Sequence, residues 1–145
     1  MRKPERAKKP IQFFCGTLPW KQLRSYPDIG DYQCNADNSP AVIGAADTGN
    51  DISNCAILVH EIVESFLNFL HGVKEEDITL FDKKWFAEEA AGVKHLQEGP
   101  GDDPLAPYHT WHLVATRFER EFIEQAGMSW AEHEENCSRV YRNSY

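Results

Sequence analysis

The sequence predicts an α+β fold, in which a small N-terminal antiparallel sheet is followed by a helical bundle carrying a metal-site helix. Three observations predict it. Short β-prone runs punctuated by turn residues extend to Ala45. An apolar run from Cys55 to Leu70 is interrupted only by a few polar side chains, among them His60, Glu61 and Glu64. Beyond it, apolar residues recur at helical spacing through two further segments.

Ile11 to Cys15 is rich in aromatic residues and reads as a first strand, closed by Gly16 and Pro19. Tyr26 to Asp31 is a turn region. Tyr32 to Ala36 and Ala41 to Ala45 then read as two strands joined by Asp37-Asn38-Ser39-Pro40, residues that favour turns for steric and hydrogen-bonding reasons. Thr48 to Asp51 breaks the chain, and Asp51 or Ser53 is the expected cap of a helix running to about Leu70, with His71-Gly72 as its stop. Asp82 is the expected cap of a further helix through about Leu96, with Trp85, Phe86, Ala90 and Val93 as its apolar stripe. Glu98 to Pro107 reads as a loop. Tyr108 to Ala126 is a long helix with Trp111, Ala115, Phe118 and Phe122 on one side, and Ser129 to Glu132 has capping-box spacing for a terminal helix.

Within the central helix, His60 and Glu64 project from one face a turn apart, and Glu61 lies about 100° round the axis. Burying an imidazole and two carboxylates without partners costs several kcal/mol, so either a cation or a hydrogen-bonded network must neutralise them. Downstream, His109 and His112 stand at i and i+3, close enough to face one site together. His112, a turn in from the loop, is the preferred third ligand, with His109 as alternate ligand or supporting donor. Glu119 lies seven residues beyond His112, about 10 Å along the axis, and suits a supporting acid better than a ligand. By the same measure His71 is about 16 Å from His60 and does not share its ion. His60, Glu64, Asn68 and His71 form one polar stripe along this helix, and its competing reading is a set of buried side chains bonded to Thr48, Tyr32 or sheet carbonyls. His95 and His133 carry no supporting pattern and read as surface residues.

His60-Glu61-Ile62-Val63-Glu64 resembles the His-Glu-x-x-His helix of the zincin metallopeptidases, with Glu64 standing where that family has its second histidine. The resemblance implies a minimal zincin-like domain over residues 11–145, with His60 and Glu64 as ligands and Glu61 as the base beside the metal-bound water. Carboxylate is an accepted zinc ligand. Its extra negative charge makes a bound water less acidic and shifts preference towards harder ions such as manganese or iron, with zinc the default. The motif followed by Pro107-Tyr108-His109 is also similar to small phage and bacterial proteins of uncharacterised function.

The 145 residues, 41% hydrophobic, suffice for one domain with its own core. No run approaches the roughly 20 apolar residues of a membrane span, and no signal-peptide core follows the N-terminus, so a soluble, cytoplasmic protein is expected. Cys15, Cys34, Cys55 and Cys137 form no Cys-x-x-Cys pair and are expected to be reduced and mostly buried. The formal charge of −8 divides into +4 on residues 1–10, expected to be a disordered basic tail, and −12 on the rest. So acidic a body repels a phosphate backbone, which argues against nucleic acid as a partner.

These readings combine into a metal-dependent hydrolase, metallopeptidase-like, acting on a peptide or protein. One divalent ion sits on His60, Glu64 and His112 or His109, with Glu61 as catalytic base. The alternative is a non-catalytic, metal-stabilised binding protein, such as a phage-encoded factor acting on a host protein, with Trp20 and Trp130 on its contact surface.

Overall fold

A computed structural model describes residues 11–18 and 28–143. The basic tail, Pro19, Trp20 and the Tyr26-Pro27 turn lie outside the described residues. Three strands, β1 (Phe14–Thr17), β2 (Gly30–Cys34) and β3 (Pro40–Ala45), form a small sheet. Four helices follow: α1 (Asp51–Leu70), α2 (Glu75–Ala90), α3 (His109–Gln125) and α4 (Trp130–Asn143). A 3-10 turn, Pro100–Asp102, precedes α3.

The sheet-then-bundle architecture is the expected one, with a mixed rather than wholly antiparallel sheet. Strand order is β1-β3-β2. The β2–β3 hairpin follows from local chemistry: Asp37 Oδ1 accepts from the Ser39 N–H at 3.0 Å, and Asn38 takes a left-handed φ of 66°. β1 joins the other side of β3 in parallel, with Cys15 opposite Ile43, and extends through Gly16 to Thr17 instead of stopping at Gly16. That pairing is made across the sequence and leaves no turn signal to read. Ile43, central in β3, is fully buried against Tyr32, Ile78, Ala106 and Tyr108.

α1 is capped by Asn50, whose side chain accepts from the Ser53 N–H at 2.9 Å, rather than by Asp51 or Ser53. Ser53 is left free to point inward. The helix stops at His71, as expected. α2 begins earlier and ends earlier than its apolar pattern suggests. Glu75, Glu76 and Asp77 fill its first turn, where carboxylates favour the positive helix end. Glu75 also accepts from the Cys34 N–H at 2.6 Å, tying α2 to the hairpin. Asp82 is therefore no cap. It is buried within α2 and accepts the Tyr108 hydroxyl at 2.6 Å. Gly92, at a φ of 88°, ends the helix before Leu96.

The inward faces of α2 and α3 also differ from their most apolar stripes. α2 buries Ile78, Asp82 and Trp85 and leaves Val93 exposed, while α3 buries Ala115, Glu119 and Ile123 and leaves Phe118 exposed. Polar residues on the inner faces displace the stripe: Asp82 is buried where it accepts the Tyr108 hydroxyl, and Glu119 where it meets His60 and His133. The Ser129–Glu132 capping box forms as expected, with Glu132 N–H to Ser129 Oγ at 3.1 Å and Ser129 N–H to Glu132 Oε2 at 3.2 Å. All four cysteines are free, but only Cys137 is buried. Its thiol is pushed up to about 12 by burial and by the charges of Glu119 and Glu134. Among the described residues no helix is long and apolar enough to cross a membrane.

Candidate metal centre

α1 and α3 lie side by side and turn their polar residues towards each other. His60 and Glu64 come from α1, one turn apart, and His112 from the first turns of α3. Glu64 Oε2 is 3.0 Å from His60 Nε2 and 2.9 Å from His112 Nδ1. One nitrogen from each imidazole and one Glu64 oxygen all lie within 4.8 Å of one another. In a tetrahedral site with bonds of about 2.0–2.2 Å, ligand atoms stand roughly 3.3 Å apart. To receive a small divalent cation, the two Glu64 contacts, at 3.0 and 2.9 Å, would open by a few tenths of an ångström, and the widest separation, up to 4.8 Å, would close by about 1.5 Å.

The two imidazoles are oriented from behind, as metal-binding histidines generally are. His60 Nδ1 donates to Glu119 Oε1 at 2.8 Å, which turns Nε2 inward. His112 Nε2 lies 3.4 Å from Asp102 Oδ1, in the 3-10 turn, which leaves Nδ1 facing Glu64. The backbone of Gly101 presses against the His112 ring so closely that an added Cβ would lie 2.5 Å from its Nδ1. His109 is not part of the cluster. Its Nδ1 donates to the Gly101 carbonyl at 2.9 Å and holds the 3-10 turn against α3.

Charge balance follows from these contacts. Burial opposes ionisation of Glu64, but its hydrogen bonds from His112 and His60 prevail and hold its pKa down to about 2. Burial likewise opposes charge on the imidazoles. Hydrogen bonds to Glu119 and Glu64 nevertheless keep His60 well above the ordinary value, and Asp102 and Glu64 raise His112 to about 9. The metal-free cluster is therefore a compact ion network, and a cation would enter by displacing protons from it.

Glu61 is 9% exposed and lies on the neighbouring face, its Oε1 2.7 Å from the place a Cβ on Gly30 would occupy. Burial, then the charge of Glu64, pushes its pKa well above the carboxylate range, with Asp28 and Asp31 adding to the effect. Glu119 takes the supporting role expected of it. Burial opposes its ionisation, but His133 and His60 hold its pKa at about 2.

Two histidines expected at the surface are not there. His133 is 1% exposed, with Nε2 2.5 Å from Glu119 Oε2 and Nδ1 3.0 Å from Ser53 Oγ. His95 stacks on Trp85 at 4.1 Å and donates to its carbonyl at 3.1 Å. His71, by contrast, is exposed and stacks on Trp111 at 3.8 Å, away from the cluster. Trp130 lies under the Arg120 guanidinium, 4.4 Å from its ring centre, with its indole nitrogen buried. One contact of the alternative polar network also exists, since Asn68 donates to the Tyr32 hydroxyl at 2.7 Å; Thr48 instead donates to Asn54, outside that stripe. The His133–Glu119 pair had no signal within a single helix, because its partners sit on different ones.

No family model matches the chain, and no curated protein or solved structure matches it. What the fold and the cluster define is a small mixed sheet and four helices around a candidate metal-binding site.

Proposed function

We propose that the protein is a divalent-metal-dependent hydrolase, resembling a minimal zincin, that acts on peptide or amide bonds. One observation carries this reading: two histidines and one carboxylate offer ligand atoms within 4.8 Å of one another. Three protein donors with a fourth position for solvent or substrate is the pattern of catalytic rather than purely structural zinc sites. A bound cation supplies Lewis acidity, lowering the pKa of water and polarising the electrophile. His60, Glu64 and His112 hold it, with Glu119 and Asp102 orienting the two imidazoles. Glu61 is the proton carrier. A dication held there would offset the charge of Glu64, which after burial is the next cause of the raised Glu61 pKa, and so would favour the carboxylate that could take a proton from water and deliver it to the leaving group.

The second reading is a metal-stabilised binding protein without chemistry. It draws on the exposed Leu96, Leu105 and Phe118, which are available for contact. Elemental analysis of protein purified without affinity-tag metal tests the shared premise. Close to one equivalent of zinc, manganese or iron per chain is expected, and less than about a tenth after incubation with zinc or manganese refutes both metal readings. Glu61→Gln then separates the two. The hydrolase reading expects metal and fold retained, with turnover of a peptide library reduced by about 10²–10⁴-fold. A metal-loaded parent that cleaves nothing leaves the binding protein in front.

A further inference from the structure

We propose that His133 is a positioning residue of the metal centre. From α4 it clamps the Glu119 carboxylate that holds His60, and so fixes the direction in which His60 Nε2 faces Glu64 and His112. This rests on the metal reading of that cluster and extends it to a helix that contributes no ligand.

The contacts form a closed ring through three helices. Ser53 on α1 bonds His133 Nδ1 at 3.0 Å, His133 Nε2 bonds Glu119 Oε2 at 2.5 Å, and Glu119 Oε1 bonds His60 Nδ1 at 2.8 Å, back on α1. With one oxygen on each histidine, the carboxylate cannot rotate without breaking a charge-assisted hydrogen bond. Removing His133 would free one oxygen and let the group that aims His60 swing. His133 is itself held, because Ser53 is fully buried and also accepts from Asn136 at 3.0 Å. Trp130, 5.1 Å from the ring, and Cys137 Sγ, 3.8 Å from Nε2, pack beside it.

A purely mechanical role does not account for the residue chosen. Ile57, Ile123 and Cys137 already give this end of the bundle buried hydrophobic contacts, and well-packed apolar residues in place of both His133 and Glu119 would often be neutral or stabilising. A histidine reaching both a carboxylate and a hydroxyl suits orientation better than adhesion. Its spacing fits too, since Ser53 stands seven residues before His60 on α1, about 10 Å along the axis. The ring thus starts and ends on α1, at Ser53 and His60, two turns apart.

The test compares the full-length parent with His133→Leu and His133→Gln, using zinc affinity by chelator competition and the visible absorption of the cobalt-loaded protein. His133→Leu, if folded by circular dichroism, is expected to bind zinc about 10–100-fold more weakly and to shift the cobalt bands. His133→Gln, whose amide can donate to Glu119 and accept from Ser53, is expected to return to within a few-fold of the parent. A folded His133→Leu with parental zinc affinity and cobalt spectrum overturns the proposal. Should His133→Leu not fold, Ser53→Ala carries the test: a several-fold loss with a shifted spectrum supports it, and parental values overturn it. A parent that takes up neither zinc nor cobalt refutes the metal reading itself, a result distinct from any difference among variants.

Discussion

Gly101→Ala should weaken metal binding while leaving the fold in place, although Gly101 offers no ligand. The added methyl would sit 2.5 Å from His112 Nδ1, 2.6 Å from Cγ and 2.7 Å from Cε1, so it meets the face of a ring rather than the flexible end of a side chain. To regain an ordinary contact of about 3.4 Å, ring and turn must separate by roughly 0.9 Å. Metal–ligand distances tolerate only about 0.2 Å. Either His112 leaves its place beside Glu64, or the 3-10 turn retreats and takes Asp102 with it. Both routes disturb the centre. Strain of this kind typically costs about 1–3 kcal/mol, and a displaced ligand should cost at least the ~10–100-fold in affinity seen when a supporting hydrogen bond is lost. Zinc affinity by competition with a fluorescent chelator, beside a thermal melt of the metal-free protein, reads both effects. A variant with parental affinity would falsify the assignment of His112 Nδ1 as the donor.

Glu64→Gln should lose more affinity than any variant of the supporting residues, because a neutral amide oxygen is a poorer ligand than a carboxylate; calorimetric titration with zinc checks the order. Metal affinity should rise with pH up to about 9, since His112 is raised to about 9 without metal and must lose its proton to bind. Competition titrations between pH 6 and 9 should show about a tenfold gain per unit for each proton released, and a flat profile contradicts the proton count. In the metal-free protein, Glu119 is held at about 2 against an unfolded value near 4.3, so its contribution is complete above about pH 4.3 and is lost as pH falls towards 2. That is about 3 kcal/mol, and urea unfolding over this window should be less steeply pH-dependent in Glu119→Gln.

The core of the site was legible because it obeys helical spacing. His60 and Glu64 at i, i+4 name their own shared face, and His112 followed from its position one turn inside the next polar helix. Glu119 was recognisable as a supporting acid from axial distance alone. What spacing cannot show is which helices meet. His133 sits among Glu132, Glu134 and Glu135, a setting that reads as a solvated face, and only the approach of α4 to Glu119 reveals it as buried. Gly101 is silent for a similar reason: its role is a clearance, and clearance has no signature in one dimension. The start of α2 was missed because Lys74 offers no capping side chain. The parallel partner of β3 was missed because nothing local prefers it to an antiparallel one.

The partners of the centre are far apart along the chain. His112 reaches Glu64 across 48 residues, Glu119 reaches His60 across 59, and His133 reaches Ser53 across 80. During synthesis, α1 emerges with two candidate ligands and an incomplete site, a state in which any cation it captures is held weakly and by a wrong set. Because closing such long loops has an entropic cost that only the finished bundle offsets, on the metal reading ion selection would belong to the completed chain rather than to the ribosome-bound fragment. A C-terminal truncation before α4 keeps all three candidate ligands but removes His133, and should therefore bind zinc more weakly than the full chain in a chelator competition.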